Sequence, residues 1–416
     1  MRNREVLISG GSVAGPALAF WLRRYGFTTT IVERAPAPRT GGQAIDIRGA
    51  AIDVVRWMGL LERVRAAGTA MRGMSFVDAG GRPLVSLTEL TLTGGATDGP
   101  DIEVMRDELV ELLYGATRDD TEYLFDDSIT ALRDGPDGVY VDFERGGSRR
   151  FDMVIGADGQ HSRVRALAFG PEERFLRHLG MAISVFSAPN LLGLDRWQEF
   201  HLAERKVVGA YSARRNTQSR IMFGFSVEPG EVDLRDPDQQ RRLIARRFAG
   251  VGWRTPEFLD AMWAAPDFYL DAMSQVRLPR WSSGRIGLVG DAAYGPSPLS
   301  GQGTSLALVG AYVLAGELAS AGDGNHARGF ERYQERMAGF VEANQALALS
   351  AAKRKGTRFG NWCAIQVMRA MSRLPFRRQL VALSMRPLRR AADGIELPDY
   401  WGARSGLVDQ AGVVDQ

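Results

Sequence analysis

The spacing of apolar and polar positions changes several times along the chain, and each change predicts an element. Glu5 to Ser9 is a compact apolar run that ends at Gly10, the pattern of a short buried strand. Val13 to Tyr25 carries Leu18, Leu22 and their neighbours at helical spacing, and Gly26 follows where a helix commonly ends in a left-handed residue. Thr28 to Glu33 is β-branched and apolar, so the first residues predict a βαβ unit. Met71 to Leu87, turning at Gly80-Gly81, predicts a hairpin, and Arg106 to Thr117 returns to helix. Val139 to Phe143 and Arg150 to Ile155 flank Gly146-Gly147 as a second hairpin. Between about Arg174 and Arg277 the pattern is mostly β, with a meander over Glu199–Ala203, Val207–Ala213 and Arg220–Val227. Ile286 to Val289 predicts another buried strand, and Ser305 to Ala319 an apolar helix.

This alternation predicts an α/β protein in which one domain is built from separated stretches and a sheet-based domain is inserted between them. The length of 416 residues suits two interlocked domains. No internal repeat interrupts the pattern, and no stretch reads as apolar enough to span a bilayer.

Composition narrows the function classes. Fifty-two basic residues face 49 acidic ones, a net charge of +3, which gives no reason to expect nucleic acid as a partner. Lysine occurs only at Lys206, Lys353 and Lys355, so the basic residues are almost all arginine. One cysteine, Cys363, excludes an internal disulfide framework and a Cys-based metal site, and only four histidines exist, without metal-ligand spacing. The expectation is no metal and, with no apolar leader at the N-terminus, a cytoplasmic location.

Three segments carry chemistry. Gly10-Gly11-Ser12-Val13-Ala14-Gly15 lies at a strand-to-helix turn, where a dinucleotide pyrophosphate needs a tight glycine turn, free amides and the positive end of a helix. Ser12 stands where the usual pattern has its middle glycine. Glu33, ending the second strand, can accept hydrogen bonds from both hydroxyls of a ribose. Gly156-Ala157-Asp158-Gly159-Gln160-His161-Ser162-Arg163-Val164-Arg165 follows another strand. Gly287-Leu288-Val289-Gly290-Asp291-Ala292-Ala293, followed by Pro296, Pro298, Gly301, Gln302 and Gly303, places Asp291 at a strand's C-terminal end. Gly301 to Ser305 then open a helix whose N-terminus can face an electron-rich group, such as the pyrimidine end of a flavin.

In this order and spacing the three segments resemble the group A FAD-dependent monooxygenases with the p-hydroxybenzoate hydroxylase fold, and within them the tetracycline-inactivating branch. The resemblance runs to about Tyr333. It implies a Rossmann-like FAD-binding domain of the GR2 type over 1–70, 101–173 and 278–340. It also implies a substrate-binding β-sheet domain over 71–100 and 174–277, and a helical segment over 341–400. The activity implied is hydroxylation of an aromatic or polycyclic small molecule, of polyketide or antibiotic character, with NADPH or NADH as co-substrate. Oxygen would add at C4a of the flavin to give a hydroperoxide.

By the same resemblance Gly10, Ser12 and Gly15 would hold the pyrophosphate, with Glu33 and Arg34 at the adenosine. Asp46, after the paired Gly41-Gly42, would lie near the flavin, Arg106 at the phosphate and ribityl region, and Asp158 in the segment shared by FAD and nicotinamide. Asp291 would bind the ribityl chain, and Pro298, Gly301 and Gly303 would lie against the ring. Arg39 and Arg165 are the nicotinamide candidates. Two departures stand out: Tyr294 where many members have histidine, and Ser297 in place of the first proline of a pair.

No catalytic base stands out. His201, Tyr211, Arg214 and Gln198 fall on the predicted inserted sheet and are equally ordinary sheet residues, and His161 fits a loop. Phe200, Tyr211, Phe223 and Phe225 suit either a roomy apolar site or core packing. Other flavoproteins share such a core. The W-x-W-x-I-P segment of halogenases is absent. A reductase acting on a C=C bond and a flavoprotein that only holds an intermediate remain alternatives.

From Ala343 to Ala392 there is no acid, while eleven Lys and Arg residues fall there from Lys353 to Arg390. Trp362, Ile365, Met368, Met371 and Leu374 recur at helical spacing among them. That periodicity predicts a helix packing its apolar face across both domains with its arginines in solvent. An anionic membrane surface, or local enrichment of NADPH, is the alternative reading.

Overall fold

The computed structural model describes residues 4–88, 91, 99–213, 217–228, 230–231, 236–322, 325–353 and 356–400. Its centre is a six-stranded sheet in the order Ser282–Ser283, Ile286–Leu288, Met153–Gly156, Glu5–Ser9, Thr28–Glu33, Glu122–Phe125. All pairings are parallel except that of the short Ser282–Ser283 edge. Strand Glu5–Ser9 pairs on one side with Met153–Gly156 (Val6 opposite Met153) and on the other with Thr28–Glu33 (Val6 opposite Thr29). Because neighbouring strands run the same way, Gly10, Ala157 and Val289 leave the sheet at one edge. The three sequence segments, separated by more than a hundred residues each, therefore meet.

Helix Ala14–Arg24 buries Ala17, Leu18, Trp21 and Leu22 and lies against the helix Gly303–Ser320. It closes at Gly26, whose φ of 80° is the left-handed conformation expected there, with Arg23 and Arg24 complementing the C-terminal end of its dipole. The glycine turn before it is sterically obligatory. A Cβ at Gly15 would come within 1.9 Å of the Gly10 carbonyl oxygen, and one at Gly10 within 2.5 Å of the Ala157 oxygen.

The second sheet has seven strands in the order Tyr269–Val276, Leu176–Pro189, Gln218–Ser226, Lys206–Ala213, Gln198–Ala203, Met74–Val77, Pro83–Leu87. The early hairpin and the later meander thus join, through parallel pairing of Met74–Val77 with Gln198–Ala203. Period-two alternation gives this sheet two characters. Ala182, Phe186, Val208, Ala210, Ile221, Phe223 and Phe225 face two helices, Pro237–Phe248 and Thr255–Ala264. Tyr211, Arg220, Tyr269 and Asp271 face the first sheet's loops.

Three expectations are corrected. Residues Arg150 to Ile155 are not one strand. Ser148–Phe151 pairs with Val139–Phe143, and after Asp152 the chain crosses into the parallel sheet as Met153–Gly156. The Asp152 carboxylate fixes that crossing by accepting from the Arg4 and Glu5 amides at 2.7 and 3.0 Å. The stretch from 174 to 277 also contains the two helices. The first has a readable start, with Pro237 in its first turn and Asp236 accepting from the Asp238 and Gln239 amides. Of the two readings open for Phe223 and Phe225, core packing holds: they pack on Phe248, with centroids 4.7 and 5.7 Å away. Finally, Gly303–Ser320 is long and apolar enough to cross a membrane, but it is mostly buried between Ala14–Arg24 and the helix His326–Ala352. Its all-round apolarity is that of a central core helix.

One packing relation in this core is directly testable. Tyr294 is buried, its ring 4.7 Å from that of Trp281 and its hydroxyl 2.9 Å from that of Tyr333. Room for it exists because residue 310 is glycine: a Cβ there would lie 1.9 Å from the Tyr294 hydroxyl. Gly310→Ala should destabilise by about 1–3 kcal/mol through overpacking. Tyr294→Phe alone should cost about 1 kcal/mol for the lost hydrogen bond. The double substitution should recover most of the Gly310→Ala loss in chemical denaturation. Strict additivity would contradict this packing relation.

Candidate functional site

The glycine turn is closed by Glu33. Its Oε2 accepts from the Gly11 amide at 2.8 Å, and its Oε1 from the Ala35 amide at 2.9 Å and, at 3.5 Å, from Arg39. The carboxylate therefore stands at the mouth of the Gly10–Gly15 turn, at the N-terminal end of helix Ala14–Arg24. Ser12 is half-buried there, and Arg34 and Arg39 are exposed on the rim.

The second segment is largely self-satisfying. Asp158 accepts from the Arg163 and Val164 amides at 2.8 and 3.1 Å and from the Ser162 hydroxyl, with Ser9 at 3.4 Å. Burial raises its pKa, and these donors oppose that rise. Its carboxylate fixes the loop rather than reaching outward. Arg165 is wholly buried and donates to the Ala292 carbonyl at 3.0 Å, the Gln160 carbonyl at 2.6 Å and Glu172 at 3.0 Å. A nicotinamide contact expected of Arg165 gives way to a structural tie between the second and third segments.

The third segment supplies groups with the opposite property. The Asp291 carboxylate has no hydrogen-bond donor among the described residues. It is accessible yet densely surrounded, as a group on an interior cleft wall is; burial, and then the nearby charge of Asp271, push its pKa up to about 6. Gln302 is fully buried and neither polar atom of its amide has a partner. Arg106 lies over the paired glycines, where a Cβ on Gly42 would fall 2.7 Å from its Nε, and its guanidinium meets no acceptor among the described residues. Burial lowers its pKa.

Around them the frame is rigid. Gly301 has φ of 62° and its carbonyl accepts from Arg48 at 3.0 Å. Arg48 also pairs with Asp46 at 2.9 Å and Asp101 at 3.2 Å. Asp46 is thus buried in an ion pair beside the start of helix Gly303–Ser320, where Ser305 accepts from the Arg48 amide at 3.1 Å. Gly303 begins that helix, and Pro298 is exposed at its approach. Ser297 has φ of 78°, which the proline ring cannot adopt, so a proline pair is excluded by this backbone. Tyr294 points into the core, away from the cleft.

The inserted sheet completes the site with residues that the sequence patterns did not single out. Arg220, fully buried, donates to the Gly42 carbonyl at 2.9 Å and faces Asp107 at 3.6 Å. Asp107 in turn accepts from the Gly41 amide at 2.9 Å. Tyr269 donates to Asp271 at 2.7 Å, and Asp271 lies 3.2 Å from His161. His161 also meets Glu172 at 2.9 Å, and the two carboxylates raise its pKa to about 9. His161 is therefore a cationic tie between the two sheets rather than a plain loop residue. Their only sequence signal is polarity at positions whose strand neighbours are apolar.

Of the base candidates, Tyr211 is buried and its hydroxyl accepts from the Ala44 amide at 3.1 Å; burial pushes its pKa up. His201 is buried and its Nδ1 lies 3.0 Å from the Val77 carbonyl oxygen, within the sheet. Gln198 is buried opposite Tyr211 in the strand pairing. Arg214 lies outside the described residues. Among the described residues no cluster of His, Cys, Asp and Glu could hold a metal ion.

The residues fit FAD. A carboxylate beside Gly303, a guanidinium over Gly42 and a buried Gln302 amide with no partner among the described residues accompany a glycine turn and a helix N-terminus, a set of acceptors and donors that a flavin dinucleotide can use. Comparison with known proteins agrees. The family described as FAD binding domain matches residues 3–347. An uncharacterized protein of Mycobacterium tuberculosis is 53% identical over 83% of this chain and 92% of its own length. A flavin-dependent monooxygenase of Legionella longbeachae is 37% identical over 96% of this chain and 99% of its own. The crystal structure of tetracycline destructase Tet(51) superposes with a TM-score of 0.84 at 34% identity, covering 96% of this chain and all of that one.

Two measurements test the geometry. Arg106→Ala should weaken FAD binding roughly ten- to a hundredfold, the worth of one or two hydrogen bonds to a charged partner, with little change in apoprotein stability because no internal bond is lost. Flavin titration followed by fluorescence quenching checks it. His161 has a folded pKa near 9, above its ordinary 6.5. The stability it contributes is complete below pH 6.5 and is lost as pH rises through about 9. The melting temperature should fall across that window, and His161→Gln should flatten the fall.

Proposed function

The chain belongs to the FAD binding domain family and is an FAD-dependent monooxygenase, and on that premise we propose that it hydroxylates an aromatic or polycyclic small molecule of polyketide or antibiotic type, consuming NADPH or NADH and O2. Bound FAD supplies the redox chemistry, taking hydride from the nicotinamide and activating oxygen. The protein's part is to bind, orient and exclude water. In this reading Gly10, Ser12 and Gly15 hold the pyrophosphate at the end of helix Ala14–Arg24, and Glu33 and Arg34 hold the adenosine. Arg106 and Asp291 take the phosphate and ribityl groups, and the amides from Gly301 to Gly303 stabilise negative charge on the ring. Arg39, exposed on the rim, is the remaining nicotinamide candidate.

The observation that carries this reading is the buried Gln302 amide, which has no hydrogen-bond partner among the described residues, together with the Asp291 carboxylate beside the start of helix Gly303–Ser320 and the Arg106 guanidinium over Gly42. Support for a polycyclic substrate comes from likeness to a tetracycline destructase over nearly the whole chain, and from the inserted sheet, whose Tyr211 and Arg220 face the flavin-side loops. The same reading divides the chain into a discontinuous cofactor domain, the inserted sheet as substrate domain, and a helical C-terminal segment. A cytoplasmic setting accords with the single unpaired Cys363.

The deciding experiment is a screen of polycyclic phenols and tetracycline-like compounds with the flavin-loaded protein. The expected hit stimulates NAD(P)H consumption at least tenfold, and its product gains one oxygen atom by mass spectrometry. Stimulated turnover that persists without oxygen and leaves a reduced double bond would overturn the hydroxylase assignment.

A further inference from the structure

The C-terminal segment packs against the seven-stranded sheet and against helix His326–Ala352, but its apolar surface is not all packed. Helix Arg358–Ser372 lies on the sheet strands Pro83–Leu87 and Gln198–Ala203. Ile365 is buried there, Met368 packs beside it, and Asn361 donates to the Ala203 carbonyl at 3.0 Å. The segment then returns to the cofactor domain, where Asn344 donates to the Ala391 carbonyl at 3.0 Å and Tyr400 donates to Glu317 at 2.6 Å.

At 3.6 residues per turn, Phe359, Cys363 and Val367 lie on the side of the helix away from Ile365 and Met368, and Trp362 lies at its edge, one turn before Ile365. That side faces outward. Phe359 is 74% exposed and Trp362 59%, their rings stacked on each other at 6.1 Å. Val367 is exposed on the same side, and Phe376 and Leu383 carry the exposed apolar surface beyond the helix. Apolar residues therefore also stand on the outer side of the helix, beside Gln366, and only the inner ones are used by the fold. An ordinary surface helix would be polar on its outer side. The segment around it is cationic: Arg358, Arg373 and Arg386 are exposed, and no acid occurs between Ala343 and Ala392. Exposed apolar patches this concentrated mark contact surfaces.

We infer that this face docks on an anionic phospholipid bilayer, with Phe359, Trp362 and Phe376 entering the headgroup boundary and the arginines meeting lipid phosphates. Charge complementarity selects this occupant. Apolar and aromatic residues ringed by arginine match the two layers of a lipid surface, whereas a second copy of the chain would bring like charge against like. The expectation that the helix packs its whole apolar face is corrected by the same observation.

Co-sedimentation of the flavin-loaded full chain with vesicles tests it. Binding is expected to phosphatidylcholine vesicles containing phosphatidylglycerol at low salt, at least tenfold more weakly to phosphatidylcholine alone, and to be reversed by salt. Trp362→Ser with Phe359→Ser should abolish it at unchanged flavin content. Arg373→Glu and Arg386→Glu should each weaken partitioning roughly fivefold or more. Trp362 emission should shift to the blue on vesicles, read as the difference from Trp362→Phe. Absence of binding at low salt overturns the proposal, as does binding that survives the Phe359→Ser and Trp362→Ser changes. Preferential binding of duplex DNA or RNA overturns it too, as does concentration-dependent dimerisation that the same two changes abolish.

Discussion

Three buried guanidinium forks hold the site together, and the remaining geometry depends on them. Arg48, Arg165 and Arg220 are each fully enclosed, and each ties stretches of chain far apart in sequence. Arg165 links the second segment to the third through the Gln160 and Ala292 carbonyls. Arg48 links the strand Ala44–Ile47 to the Gly301 carbonyl, and Arg220 links the inserted sheet to the Gly42 carbonyl. A charge so buried is costly unless its partners stay in place, and removing one partner typically costs about 3–5 kcal/mol. The forks therefore make loop displacement expensive, where loops alone would move readily. Arginine suits the task better than lysine, since its planar fork serves several acceptors at fixed angles.

That rigidity explains why other polar groups can be left without partners. The Gln302 amide, fully buried, would ordinarily collapse onto nearby donors or acceptors, because unsatisfied polar groups are costly to bury. Here the neighbouring carbonyls are already engaged by the three forks, and the glycine turns keep the backbone from closing on the cleft. In the proposed reading these polar groups are held in advance of the cofactor and would need little rearrangement when charge develops on it, which is the physical content of electrostatic preorganisation. Stability and function thus draw on different members of one polar set. Arg165 and Asp158 support the frame, although their sequence positions suggested ligand contacts.

Much of this was legible in the chain. The strand Thr28–Glu33 has the bounds its β-branched run predicts, and the helix from Ala14 ends where Gly26 requires. Local motifs located the three segments because each needs particular residues at short spacing. What escaped prediction involves partners remote in sequence. Nothing local distinguishes Arg220 or Asp271 from any polar strand residue; only sheet register turns them toward His161 and Gly42. Phe223 and Phe225 stayed open between core and site for the same reason, since period two shows that they share a face but not which layer it meets. The crossing at Asp152 was hidden because the apolar pattern continues unbroken while the strand changes sheets.

The two departures from the family pattern show how sequence change near a cofactor can be absorbed out of its sight. Tyr294 turns its ring into the core, and the missing side chain at Gly310 makes the space for its hydroxyl. Ser297 adopts a φ that proline could not, and its carbonyl then accepts from the Ser300 amide at 3.0 Å, closing the turn before Gly301. Both changes are compensated within the third segment and the helix that follows it. The backbone from Gly301 to Gly303 consequently stays pinned by Arg48 while the side chains behind it vary. A ring bound against that backbone would meet amides and a helix end, groups that every residue type except proline supplies. Recognition built on backbone in this way tolerates side-chain replacement as long as the loop keeps its path, and here the path is set by one buried arginine and two left-handed residues.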